Sequence, residues 1–92
     1  MNKDQAEAIA ISALGWIAAS DEMTGIFLGA TGASLGDIRA QIKDPAFQGS
    51  VLDFLMMDDA WVREFCDSSG FDYMDPQRAR QMLPGGDLPN WT

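Results

Sequence analysis

The sequence predicts an all-α protein, a single small domain of five to six short helices packed around a central helix 4. Three observations predict it. Residues Asp44 to Gly70 carry the start and stop signals of two consecutive amphipathic helices. Apolar residues near the N-terminus recur at helical spacing, with Ala6, Ile9, Ala10, Ala13, Leu14, Trp16 and Ile17 on one arc at 100° per residue. No run of alternating β-branched residues suggests a strand.

Helix 1 is expected from about Lys3 to Ala19. Asn2, with Gln5 three residues later, forms a capping-box-like start, and the alanines on its arc suggest close approach by a neighbour. Helix 2 follows with Ser20 or Asp21 as cap. Its expected buried face is Met23, Ile26, Phe27 and Ala30, and Gly32 ends it. Helix 3 is short: Ser34 and Asp37 have the spacing of a capping box, and Leu35, Ile38 and Ile42 are expected to face inward.

Helix 4 starts at Pro45, after Asp44 as cap, and ends near Met57. Phe47, Val51, Phe54 and Leu55 share a face that Leu52 and Met56 widen past half the circumference, which is why this helix is placed centrally. Helix 5, from Asp59 to about Ser69, is two-faced. Trp61, Val62, Phe65 and Cys66 lie opposite Arg63, Glu64 and Asp67, and Asp59 with Arg63 has favourable i, i+4 order. Asp75-Pro76 opens a last short helix to Leu83, which Pro84-Gly85-Gly86 breaks. The domain is read as residues 1–86, with 87–92 as a C-terminal tail.

The chain has 92 residues, 47% of them hydrophobic, which suits one modest core without disulfides. Three Trp and five Phe supply much of it. The lone Cys66 fits a reducing compartment, and the protein is expected to be cytoplasmic. Fourteen acids against six bases leave a net charge of −8. Such a surface repels phosphate backbones and anionic lipid and attracts a basic protein partner.

Ala8 to Ala19 holds Ser12 as its one polar side chain. Those residues are too few to span a bilayer, which takes roughly 17–25. Ala18-Ala19-Ser20 resembles a leader cleavage site, but Lys3 is set against Asp4 and Glu7 where a secretory leader needs positive charge, so a buried helix is expected.

Asp44-Pro45-Ala46-Phe47, Val51-Leu52-Asp53-Phe54-Leu55, Asp58-Asp59 and Phe65 together resemble a family of small bacterial proteins catalogued as a domain of unknown function. Thr31-Gly32, Asp37-Ile38-Arg39 and Leu83-Pro84-Gly85-Gly86 are similar to that family too, so the likeness runs from helix 1 to Gly86. It implies a small helical fold in the bacterial cytoplasm and carries no catalytic residues across.

Chemistry is sparse. Histidine is absent, so no Ser-His or Cys-His pair exists within the chain. Cys66 lies on the apolar face of helix 5, the position of an inert thiol. One Cys and no His cannot make a zinc site, and Asp67, Asp72 and Asp75 lack EF-hand spacing. Asp58-Asp59 reads as capping and dipole compensation, since adjacent helical residues point about 100° apart. Gly25, Gly29, Gly32 and Gly36 have neither the Gly-Lys-Ser/Thr of a phosphate loop nor a preceding strand. Helices 2 and 3 have helix-turn-helix order, but Asp37 and Asp44 bracket Arg39, Gln41 and Lys43.

What remains is apolar surface. Met56, Met57 and Trp91 are the candidate interface residues, Met57 because it shares the arc of Gly49, Ser50 and Asp53. The expected function is a non-catalytic cytoplasmic protein–protein interaction module or homo-oligomer. It should need no cofactor and bind no metal, nucleic acid or membrane. The alternatives are a nucleic-acid-linked regulator with a degenerate helix-turn-helix, or an enzyme subunit whose site needs a partner chain.

Overall fold

Six helices follow one another through the computed structural model, which describes residues 1–83: α1 Lys3–Ala18, α2 Asp21–Thr31, α3 Leu35–Gln41, α4 Pro45–Leu55, α5 Asp59–Ser69 and α6 Asp75–Gln81. Among the described residues there is no strand. Trp91, the break at Pro84-Gly85-Gly86 and the proposed boundary at residue 86 lie outside them.

Most starts are built by local capping, which satisfies backbone N–H groups that the first turn leaves free. Asn2 Oδ1 accepts from the Gln5 N–H at 2.8 Å, and Gln5 Oε1 accepts from the Asn2 N–H at 2.9 Å. Ser20 Oγ accepts from Met23 N at 3.2 Å, and Ser34 and Asp37 close a reciprocal box. Asp44 and Asp58 each accept from the N–H two residues on, at 3.0 and 2.8 Å. α6 lacks a side-chain cap; its entry is a turn in which Asp75 accepts from Asp72 N at 3.0 Å. Gly32 and Gly70 end α2 and α5 at φ of 73° and 79°, a left-handed conformation that costs other residues a Cβ clash.

α1 buries Ala6, Ile9, Ala10, Ala13, Leu14 and Ile17, six of the seven residues on the expected arc. Trp16, the seventh, is half-buried and meets Phe65 edge-on at 6.2 Å. α4 is as enclosed as its wide arc requires, with Phe47, Val51, Leu52, Phe54 and Leu55 all buried. It packs on α1, α2 and α6, while α1 packs on α2, α4, α5 and α6, so α1 shares the centre that the sequence assigned to helix 4. The physical reason is the alanine face: Ala6, Ala10 and Ala13 are buried, and side chains that small let several helices, not one neighbour, approach α1 closely.

Phe27 of α2 links these layers, meeting Phe47 at 6.2 Å and Phe54 at 5.1 Å, both near-perpendicular. Phe54 in turn stacks on Trp61 of α5 at 5.0 Å. A fork between Arg80 and Asp53 ties α6 to α4, with Nε–Oδ1 2.7 Å and Nη2–Oδ2 3.1 Å. Gln48, 2% exposed, donates from Nε2 to the Ile42 carbonyl at 3.0 Å and holds the α3–α4 link, while its Oε1 is buried without a partner.

Three expectations of inward-facing residues fail. Ile26 is 39% exposed, Leu35 is 62% exposed and Ala30 lies on the surface. α2 turns only Met23 and Phe27 fully into the core, and α3 has no buried residue. Both helices lie at the edge of the bundle, so only part of each apolar arc is covered. The i, i+4 pair Asp59–Arg63 also does not close; the ion pairs among the described residues are Arg78–Asp75 at 3.5 Å and Arg80–Asp53.

Phe54 is 3% exposed, so Phe54→Ala is expected to cost about 3–5 kcal/mol in urea unfolding, a large part of the ~5–15 kcal/mol a small domain has. Met57→Ser, at a position 71% exposed, should cost under about 1 kcal/mol. A negligible cost for Phe54→Ala would contradict the packing described. Deleting residues 1–19 removes a helix that packs on four others, and should leave an insoluble or molten chain that binds a hydrophobic dye and lacks near-ultraviolet dichroism.

Candidate functional site

Apolar side chains that the core does not absorb gather around the corner between α4 and α5. Met56 caps the C-terminus of α4 and is half-buried, its N–H donating to Leu52 O at 3.0 Å. Met57 follows, its N–H donating to Phe54 O at 3.1 Å and its side chain 71% exposed. Consecutive residues at a helix end point in different directions, and these two reach different hollows. Met56 lines an open cleft of about 380 Å³ with Val62 of α5, Pro76 of α6 and the turn residues Tyr73 and Met74. Met57 lines a shallower one of about 290 Å³ with Ala30, Asp53 and Phe54. The candidate pair is therefore not one contact patch but two, on either side of the corner.

Tyr73 and Met74 were not foreseen from the sequence. They are 51% and 46% exposed and sit in a turn, where helical periodicity gives no signal. The turn is ordered by acids. Asp72 Oδ1 accepts from Met74 N at 2.9 Å, and the Tyr73 hydroxyl donates to Asp67 Oδ1 at 2.7 Å. That hydrogen bond to the carboxylate is the main cause raising the Tyr73 hydroxyl above its usual pKa. The rim of the cleft is polar, formed by Asp59, Arg63 and Gln77. Arg63 lines this rim instead of pairing with Asp59.

The other sequence candidates have structural occupations. Asp58 caps α5, and Asp67, Asp72 and Asp75 each accept a hydrogen bond within the α5–α6 turn. Among the described residues no three Cys, Asp or Glu side chains stand close enough to hold a metal ion. Cys66 is buried and its thiol donates to the Asp72 carbonyl at 3.4 Å. Burial first, then the negative charges of Asp75, Asp67 and Asp72, push its pKa up, so it stays a protonated thiol at neutral pH. Arg39 and Lys43 are exposed, but α3 is only seven residues long and Asp37 is engaged with its N-terminus.

A family model described as protein of unknown function (DUF3572) matches residues 3–86. The chain belongs to that family. The match spans all six helices, as the resemblance read from the sequence did. No curated protein and no solved structure matches the chain. Within the described residues no helix is long and apolar enough to cross a membrane.

A buried thiol held protonated should resist modification. Cys66 is expected to react with a disulfide reagent at neutral pH only as fast as the chain opens, and promptly once urea unfolds it. Rapid stoichiometric labelling of the native protein would show the thiol to be accessible. Because the folded pKa is raised, this group's contribution to stability is intact below its ordinary value. It is lost as pH climbs through the folded value, so the fold should weaken on the alkaline side.

Proposed function

We propose that this protein is a non-catalytic cytoplasmic interaction module whose partner is a basic amphipathic helix of another protein. The observation that carries the reading is the cleft of about 380 Å³ between α4, α5 and α6, where Met56 and Met74 meet Val62, Tyr73 and Pro76. Methionine is flexible and polarisable, and at a surface it adapts to varied apolar partners. Met1, Met57, Met74 and Met82 are exposed and Met56 is half-buried, whereas Met23 lies in the core.

Charge selects the partner's sign. The chain carries −8, and α5, whose Asp59 and Arg63 line the cleft, also exposes Glu64 and Asp67. A helix with an apolar stripe and flanking lysines would place the stripe in the cleft and the cations on these carboxylates. The absence of histidine and the protonated, buried Cys66 support a non-catalytic role. A net charge of −8 gives the nucleic-acid reading less support than the protein one.

Methyl-labelled methionine provides a direct readout. Titration with a synthetic leucine–lysine amphipathic helix is expected to shift the Met56 and Met74 methyl signals and leave Met23 in place. Added salt should weaken the complex. Unchanged methyl signals at millimolar peptide would overturn the proposal. A dimer in sedimentation equilibrium that Met57→Ser splits, with helicity unchanged, would instead make the partner a second copy.

A further inference from the structure

The sulfur chemistry that solvent reaches in this protein is thioether chemistry. The chain has one cysteine, and Cys66 is 1% exposed, its thiol donating to the Asp72 carbonyl at 3.4 Å. A thiolate is the form that attacks a peroxide, and burial, then the charges of Asp75, Asp67 and Asp72, disfavour it here. That leaves the six methionines, of which Met1, Met57, Met74 and Met82 are exposed.

A sulfur that works as a switch must be within reach of an oxidant, must lie at a contact surface, and must change without unfolding the chain. Met23, 9% exposed within the core, is out of reach. Met56 lines the cleft but is half-buried against the core, and Met57 lines the other hollow. Met1 and Met82 are not in the lining of the cleft. Met74 meets every condition. It is 46% exposed and lines the cleft with Met56, Val62 and Pro76. Its turn is held by Asp72 Oδ1 on the Met74 N–H at 2.9 Å and by the Tyr73 hydroxyl on Asp67 at 2.7 Å, bonds in which the thioether takes no part.

We propose that Met74 is an oxidation site for peroxides and that its sulfoxide shuts the cleft to an apolar partner; the switch rests on the docking reading of that cleft. The sulfur lone pair attacks one oxygen of hydrogen peroxide. An S–O bond forms as the O–O bond breaks, the sulfur gives up two electrons, and the second oxygen leaves as water with both protons. A helix stripe laid over the sulfoxide would bury a polar oxygen against side chains that have no donor for it.

Methyl-labelled methionine in the full chain follows each sulfur separately. With hydrogen peroxide, the Met74 methyl is expected to convert to its sulfoxide signal at least about tenfold faster than Met23, while Cys66 remains a thiol. At that dose helicity should be unchanged, and the leucine–lysine helix should bind about tenfold more weakly. Methionine sulfoxide reductases with a thiol reductant should restore binding. Met74→Leu should bind like the reduced protein and keep its affinity after peroxide, whereas Met57→Leu should lose affinity as the unaltered chain does. Met74 converting no faster than Met23, Cys66 consumed first, lost helicity, or equal affinity before and after oxidation would each overturn the proposal. A reduced protein that ignores the helix would overturn the docking reading and the switch with it; the order of oxidation, read without peptide, still decides the site.

Discussion

Ala6, Ala10 and Ala13 stand on the buried face of α1 at 0%, 1% and 0% exposure, interleaved with Ile9, Leu14 and Ile17. Small side chains let other helices come close, and the larger ones then interlock with them. This contact matters because the remaining helices are short. α3 and α6 have seven residues each, and α2, α4 and α5 have eleven, below the ~12–15 at which an isolated helix becomes even marginal in water. Their helicity therefore depends on tertiary burial. α1, packed on α2, α4, α5 and α6, is the element through which most of that burial is shared.

Helix boundaries were legible in the sequence because capping is local. A serine or aspartate bonds to a backbone N–H two or three residues on, whatever the rest of the chain does, and Asn2, Ser20, Ser34, Asp44 and Asp58 all do so. Burial was legible only where an arc has neighbours along its whole width. The periodicity of α1 and α4 translated into core almost residue by residue. That of α2 and α3 did not, since Ile26, Ala30 and Leu35 lie on helices with an open side. The candidate site was less legible. Met57 was read as exposed from its arc, but Tyr73 and Met74 belong to a turn, and the Asp53–Arg80 fork joins residues 27 apart. No local rule reaches that far.

The acids show how composition and placement differ in meaning. A charge of −8 describes the molecule at a distance, as a long-range field that favours cations and disfavours anions. At close range many of the same carboxylates are structural. Asp37, Asp44 and Asp58 cap helices, Asp72 and Asp75 shape the entry to α6, and Asp53 holds Arg80. Carboxylates already accepting hydrogen bonds from their own backbone are poorly placed to converge on an ion. Among the described residues an acid-rich composition is thus spread over separate caps and turns instead of being gathered at one point.

Two regions of the surface differ in what supports them from beneath. The α4–α5 corner rests on a continuous aromatic series: Phe47 meets Phe27, Phe27 meets Phe54, and Phe54 stacks on Trp61. Rings in edge and stacked contact fill the space beneath the corner, so Met56 and Met57 stand over a closely packed base. That combination suits a surface that adapts its outer atoms while the fold stays fixed. The space under α3 is the reverse. Its inner wall of Leu14, Ile17 and Phe27 is core, but its cover is a seven-residue helix with no buried residue, held by its capping box and by Gln48 on the Ile42 carbonyl. What burial α3 has comes from Ile38 and Ile42, half-buried against the core, so it adds little to the packing of α1 on α4 and α6.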